Sequence, residues 1–257
     1  MRNFRYVTPG RIFGPIWFAG IHEASTHLIE TGDGLILIDP GYPDTLSVIL
    51  DNIQKIGFDY RDIKIILLSH GHHDHAGAVR ELVALTGAKT YVGKDDLKMV
   101  TCQDDSALSP MPDYREKCAF TPDVLLSDGD TVSLGNISVL CLSTPGHTDG
   151  TMSFFFDVSD GNRTFRAGMH GGVGLNTLKR EFLDSHNLPL TNRDKFIRGL
   201  EHAKSQQVDI VLGNHVGQND TEGKLARVAQ GETDAFVDPQ EWLQFLDGRI
   251  RAVKELE

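Results

Sequence analysis

Apolar positions along the chain follow two rhythms. THLIE at 26–30 and LILID at 35–39 are short apolar runs separated by Thr31-Gly32-Asp33-Gly34, a composition that predicts a β-hairpin. After Asp39-Pro40-Gly41 the rhythm changes. Leu46, Ile49, Leu50, Ile53 and Ile56 recur at helical spacing, with Asp44 as the expected cap and Gly57 as the stop. IKIILL at 63–68 is continuously apolar, as expected of a strand covered on both faces. A helix is predicted from about Asp74 through Val79, Leu82, Val83 and Leu85 to Gly87, then a strand at 90–93. Residues 94–123 are less regular: a short helix around Leu97, Met99 and Val100, then Pro110, Pro112 and Pro122. We read this stretch as an insertion, either shaping a pocket or forming a plain surface loop.

Strand signals resume at 131–134 and 137–142 across Gly135-Asn136, and at 152–156 and 164–167 across Ser159-Asp160-Gly161-Asn162. A helix capped by Asn192 is expected to carry Phe196, Ile197, Leu200 and Ala203. DIVL at 209–212 reads as a buried strand. A final helix at 240–257 places Trp242, Leu243, Phe245, Leu246, Ile250 and Val253 on one face. The two halves share an outline of paired strands followed by helix and strand units. The expectation is an α/β fold over residues 1–257 as one domain of two pseudo-repeated halves, with two central sheets and helices outside.

Composition adds limits. With 40% hydrophobic and 24% charged residues the chain is of ordinary globular type. No apolar run nears the roughly 20 residues of a membrane helix. The N-terminal stretch, broken by Gly10, Gly14 and Pro15, does not read as a signal peptide, so a cytoplasmic protein is expected. Cys102, Cys118 and Cys141 are odd in number and widely spaced, which fits reduced core or surface thiols better than ligands. A net charge of -11 without a Lys/Arg cluster argues against a nucleic-acid partner. The oligomeric state is not legible.

The chemistry is concentrated in histidines. LLSHGHHDHAG at 67–77 places His70, His72, His73, Asp74 and His75 directly after the apolar run 63–68. In an extended segment residues two apart point the same way, so His70 and His72 can reach one ion. Asp74 and His75, where the chain turns helical, point elsewhere and can serve a second ion. His73 is out of phase and is expected to face solvent or to support the ligands from outside. Burying so many polar groups at a strand end is costly without a metal or another partner. Two later stretches place a histidine just past a strand: His147 in LSTPGHTDG and His215 in VLGNHVG. Each is a candidate ligand, with an ordinary loop histidine as the alternative. The glycine-rich GGVGLNTL lacks the GxxxxGK[ST] spacing of a phosphate loop, and its glycines are expected to let backbone approach the site.

HxHxDH, then GHT, then a strand-end GNH, preceded by THLIETGDGLILIDPGY, resembles the metallo-β-lactamase fold superfamily across most of the chain. The resemblance implies a four-layer αββα sandwich, two mixed sheets flanked by helices. It implies that His70, His72 and His147 hold one metal, and that Asp74, His75 and His215 hold a second. Many hydrolases of the superfamily carry a bridging aspartate on the strand after GHT. Here that strand reads TFRAGMHGG, with Gly168 and Met169 at the place expected. The ligand pattern is therefore closer to class B, subclass 3 metallo-β-lactamases than to glyoxalase II. His170, just beyond, stands as a substitute ligand, a proton carrier, a substrate contact or an ordinary loop residue. Asp39 is expected either to support the metal loop or to be a plain turn residue, and Tyr42 lies in a loop expected to shape specificity.

The chemistry implied is that of a dinuclear zinc hydrolase, with iron or manganese as alternative metals. A metal-bound hydroxide would attack the carbonyl of a small lactam, lactone, ester or thioester, and Asp74 would orient it and carry its proton. No GxSxG motif offers a serine nucleophile. Two other readings stand beside it: a mononuclear iron dioxygenase of the same fold acting on a sulfur compound, and a metal-binding protein without catalysis.

Overall fold

The structure, a computed structural model, describes residues 4–256. Among them, twelve strands form two sheets. The first sheet contains, in spatial order, β1 (Gly10–Phe13), β2 (Ile16–Phe18), β3 (His27–Glu30), β4 (Leu35–Ile38), β5 (Ile63–Leu67), β6 (Lys89–Gly93) and β7 (Val124–Leu126). The second runs in the order β12-β11-β10-β9-β8, built from β8 (Asp130–Leu134), β9 (Ile137–Ser143), β10 (Met152–Ser159), β11 (Thr164–Met169) and β12 (Ile210–Val211). Strands β4 to β7 pair in parallel, as do β11 and β12, and the other neighbours are antiparallel.

The helices are α1 (Leu46–Lys55), α2 (His73–Ala76), α3 (Val79–Thr86), α4 (Leu97–Val100), α5 (Tyr114–Cys118), α6 (Arg180–Ser185), α7 (Thr191–Ala203), α8 (Thr221–Ala229) and α9 (Glu241–Lys254). Period-two alternation sorts side chains into layers. On β10, Phe154 and Phe156 enter the core between the sheets, and Phe155 faces outward against Trp242 of α9. On β4, Ile36 and Ile38 point inward, while Leu35 and Leu37 meet α1 and α3. The layers are therefore helix, sheet, sheet, helix. No helix among the described residues is long and apolar enough to cross a membrane.

Several expectations are corrected. Asp44 does not cap α1; it lies inside a 3-10 turn, Pro43–Thr45, and Thr45 takes the cap position. Asn192 lies within α7 instead of before it. Leu243 is exposed, so the inner face of α9 is Trp242, Leu246, Ile250 and Val253. The hairpin β1–β2 was hidden by Gly14 and Pro15, which read as breakers; Gly14, at φ 49°, is the turn itself. Strand β7 and helix α8 were not anticipated either. The stretch 94–123 holds α4, α5 and a small buried cluster in which Cys102 and Cys118 pack with Met99 and Tyr114. All three cysteines are free and buried.

Direction is what matters for the site. Because β4, β5 and β6 are parallel, their C-terminal ends share one edge, and Asp39, His70 and Asp96 follow them there. In the second sheet β9, β11 and β12 point one way, and His147, His170 and His215 follow their ends.

Candidate metal centre

Five imidazoles and one carboxylate meet where these strand ends face each other. His70, His72 and His147 each offer a ring nitrogen within 4.8 Å of the others, and so do His70, His75 and the carboxylate of Asp74. His215 joins the second group: its Nε2 lies 3.4 Å from His75 Nε2 and 3.8 Å from Asp74 Oδ2. Asp74 Oδ2 is in turn 3.4 Å from His75 Nε2. All the candidates named from HxHxDH, GHT and GNH except His73 are brought together.

The rings are aimed from behind. A carbonyl only accepts, so the nitrogen facing it carries the proton and the opposite nitrogen keeps a lone pair. His70 Nδ1 donates to Gly171 O at 2.8 Å, and His147 Nδ1 donates to Gly174 O at 2.9 Å. His215 Nδ1 donates to Glu23 O at 2.5 Å. His75 Nδ1 donates to Asp39 Oδ2 at 2.9 Å. The inner nitrogens are left facing one another: His72 Nδ1 is 3.1 Å from His147 Nε2, and His70 Nε2 is buried without a hydrogen-bond partner. Fixed outer partners of this kind are what orient metal-binding histidines.

Burial, with the neighbouring imidazoles adding to it, holds His70 and His72 well below the ordinary histidine range. Burial lowers His147 to about 4 and lowers His215 as well. These rings are neutral at pH 7, the form that binds a cation. At His75 burial also acts downward, but the carboxylates of Asp74 and Asp39 outweigh it and raise the ring to about 10. Burial would raise Asp74, and the charge of His75 overrides it.

Asp39 takes the left-handed conformation, φ 56°, and is 1% exposed. Its carboxylate accepts from Ser69 N (2.8 Å), Ser69 Oγ (2.6 Å) and His75 Nδ1. It therefore touches the histidine loop at two residues. His73 is half-buried, with Nδ1 3.3 Å from Ala107 O and its ring edge-on to Tyr42. Tyr42 also packs on Phe4. The glycines 171–174 run close to the site as expected: a Cβ on Gly172 would lie 2.7 Å from His147 Cδ2.

The place expected for a bridging aspartate holds no carboxylate. A Cβ on Gly168 would lie 2.6 Å from Val208 Cγ2 and 3.0 Å from Phe155 Cδ1, and Met169 is buried between the sheets. His170 is buried, tilted against Phe196, and accepts from Gly172 N at 3.3 Å; burial lowers it to about 3. It is in neither converging group. Behind the cluster, Gly171 O accepts from both His70 Nδ1 and Asn214 Nδ2, the latter at 2.7 Å. Sequence reading missed Gly171 and Asn214, and also Asp96; the GNH motif was the one available pointer to Asn214.

His72 and His147 open into a cleft of about 1150 Å³. Its walls include Leu97, Met99 and Leu108 from the 94–123 stretch, and Phe182 and Leu188 from the α6 region.

This constellation on an αββα sandwich is that of a metallo-hydrolase. Residues 20–160 match the family model of the metallo-beta-lactamase superfamily, and the chain belongs to that superfamily. It is 28% identical over 185 residues to the uncharacterized protein YobT of Bacillus subtilis, covering 68% of this chain and 74% of YobT. It is 27% identical over 197 residues to a hydroxyacylglutathione hydrolase of Francisella tularensis subsp. novicida, covering 71% and 68%. Some other curated relatives are matched over about half their length. Among solved structures, the class B3 di-zinc metallo-β-lactamase LRA-12, from an Alaskan soil metagenome, superposes with a TM-score of 0.82 at 27% identity, covering 98% of this chain and 95% of that one. The protein is a metal-dependent hydrolase with the metallo-β-lactamase fold, and subclass B3 metallo-β-lactamases are among its structural neighbours.

Proposed function

We propose that the chain is a dinuclear zinc hydrolase acting at the carbonyl of a small lactam, lactone, ester or thioester. The observation that carries this reading is the set of imidazoles whose outer nitrogens are tied to fixed acceptors while the inner ones converge. The buried, partnerless Nε2 of His70 is the test of fit: an orphaned acceptor among other lone pairs is costly unless a cation meets it. His70, His72 and His147 would hold one ion, and Asp74, His75 and His215 the other. Nitrogen and carboxylate donors suit zinc, with iron and manganese as alternatives. Bound zinc supplies Lewis acidity and brings the pKa of water to about 7.

The chain's own residues then divide the work. Asp74 is the one carboxylate among the six groups and is partly exposed, so its Oδ2 can accept a proton from the attacking water and pass it on. Asp39 keeps a proton on His75 Nδ1, so the proton this raised imidazole must give up to meet a cation is the one on Nε2. Leu97, Met99, Leu108 and Phe182 give the cleft apolar walls, which suit a small organic substrate and limit water around it. The names of the two relatives, a β-lactamase and a hydroxyacylglutathione hydrolase, bracket the range of acyl compounds to screen.

Metal content by plasma mass spectrometry, on protein purified without chelator or histidine tag, is the first test. About two zinc ions per chain, followed by turnover of one member of a lactam, lactone, ester and thioester panel, is the expected result. One iron and no zinc would move the reading to a dioxygenase. No bound metal after excess zinc would overturn the ligand assignment.

A further inference from the structure

Beside the six converging groups lies a buried carboxylate that is not one of them. Asp96 follows β6 and is 1% exposed. Its Oδ2 accepts from Gly71 N and from Thr148 Oγ1, both at 2.8 Å, and its Oδ1 accepts from Gly150 N at 2.8 Å. Gly71 sits between His70 and His72, and Thr148 follows His147. One side chain therefore binds the backbone of one histidine loop and fastens it to the other. The cost of burying a carboxylate is high, and backbone alone could have paired these N–H groups.

The packing around it is tight. A Cβ on Gly150 would lie 2.6 Å from Asp96 Cγ, and one on Gly93 would collide with Gly150 O. A Cβ on Gly71 would lie 2.8 Å from Met99 Sδ. Residues 93–99 are pressed against both loops at once.

We infer that Asp96 is a positioning residue for the His70/His72/His147 cluster, setting the distance between the loop of His72 and the loop of His147. This rests on the reading of that cluster as a metal site. Each oxygen of Asp96 accepts from a backbone N–H, Gly71 at Oδ2 and Gly150 at Oδ1, so an asparagine cannot replace it: in either orientation its NH2 would face an N–H.

The test is zinc competition against a chromophoric chelator, together with the thermal midpoint of the metal-free protein, for wild type, Asp96→Asn, Thr148→Val and Thr148→Ser. Asp96→Asn should weaken one zinc ion by about 10- to 100-fold, the usual effect of losing a partner behind a ligand. Thr148→Val should move the same ion in the same direction by less, since it removes one of three bonds. Thr148→Ser keeps the hydroxyl and should bind zinc as wild type does. A lowered midpoint in Asp96→Asn with unchanged zinc affinity would overturn the inference, because Asp96 would then hold only the fold. Serine failing like valine would overturn it too, since packing and not the hydrogen bond would be responsible. If Asp96→Asn does not fold, the two threonine variants decide. Wild-type protein that binds no zinc would refute the metal reading itself, a result distinct from either of these.

Discussion

Asp39→Asn isolates one hydrogen-bonding function with almost no change of shape. Asparagine tolerates the left-handed φ of 56° as aspartate does, so the backbone is not the variable. The carboxylate accepts from three donors, and an amide can accept at only one of its two ends. With the amide oxygen toward Ser69 N, the NH2 faces His75 Nδ1. His75 must then accept there and carry its proton on Nε2, the nitrogen aimed at Asp74 and His215. With the amide turned over, Ser69 N–H is left buried and unpaired. Either arrangement forfeits a charge-assisted bond or strands a donor, about 1.5–3 kcal/mol of stability in the metal-free chain.

The first arrangement also blocks a ligand, so the second zinc ion should weaken by about 10- to 100-fold while the His70/His72/His147 ion is less affected. Urea unfolding of the metal-free protein measures the first quantity, and zinc competition titration measures the second. If the variant keeps both zinc affinities and wild-type stability, Asp39 is an ordinary turn residue and the argument fails.

Three further outcomes follow from the geometry. Phe155→Ala, which empties the contact between β10 and Trp242, should cost about 3–5 kcal/mol in urea unfolding; less than about 1 kcal/mol would mean that α9 repacks freely. His27 is 1% exposed and burial lowers it to about 4, so below the unfolded value of 6.5 the unfolded chain takes a proton that the folded chain refuses. Stability is therefore lost as pH falls, and His27→Leu should reduce that loss by ~2–3 kcal/mol between pH 7 and 4; parallel pH profiles for the two proteins would contradict the assignment. Gly172→Ala pushes a methyl against His147 and should lower zinc affinity about tenfold with little change in metal-free stability, and equal affinity in the titration would show that the loop gives way.

The layered fold was legible because its strands are apolar and bounded by turn residues. THLIE and LILID became β3 and β4 within a residue, and the run 63–68 became β5. The hairpin at 10–18 was not, because Gly14 and Pro15 interrupt an apolar stretch in the way a loop does, and only pairing with β3 reveals it as sheet. Strand β7 is three residues at a sheet edge with Leu125 exposed, too short for a periodicity to register. Helix α8 carries few apolar residues and buries Thr221 and Leu225 only. At the site, histidines announce themselves by residue type and spacing. Gly171, which contributes a carbonyl, and Asp96, one acid among many, have no such signature, because their role depends on where the chain returns in space.

That difference explains how the centre is built. Three acceptors tie the contributing loops in pairs. Asp39 joins the end of β4 to Ser69 and His75; Gly171 O joins His70 to Asn214, the neighbour of His215; Asp96 joins Gly71 to the loop of His147. Each follows the C-terminal end of a strand, β4, β11 and β6, where the sheet is rigid and the next loop begins. In many hydrolases of the superfamily a bridging carboxylate links the two ions directly. Here that strand carries Gly168 and Met169, and neither is among the converging groups. His70 offers a nitrogen to both groups, and the carbonyl behind it also holds the loop of His215. A single backbone acceptor thereby ties the loop of His70 to the loop of His215 from behind, without placing a negative charge there.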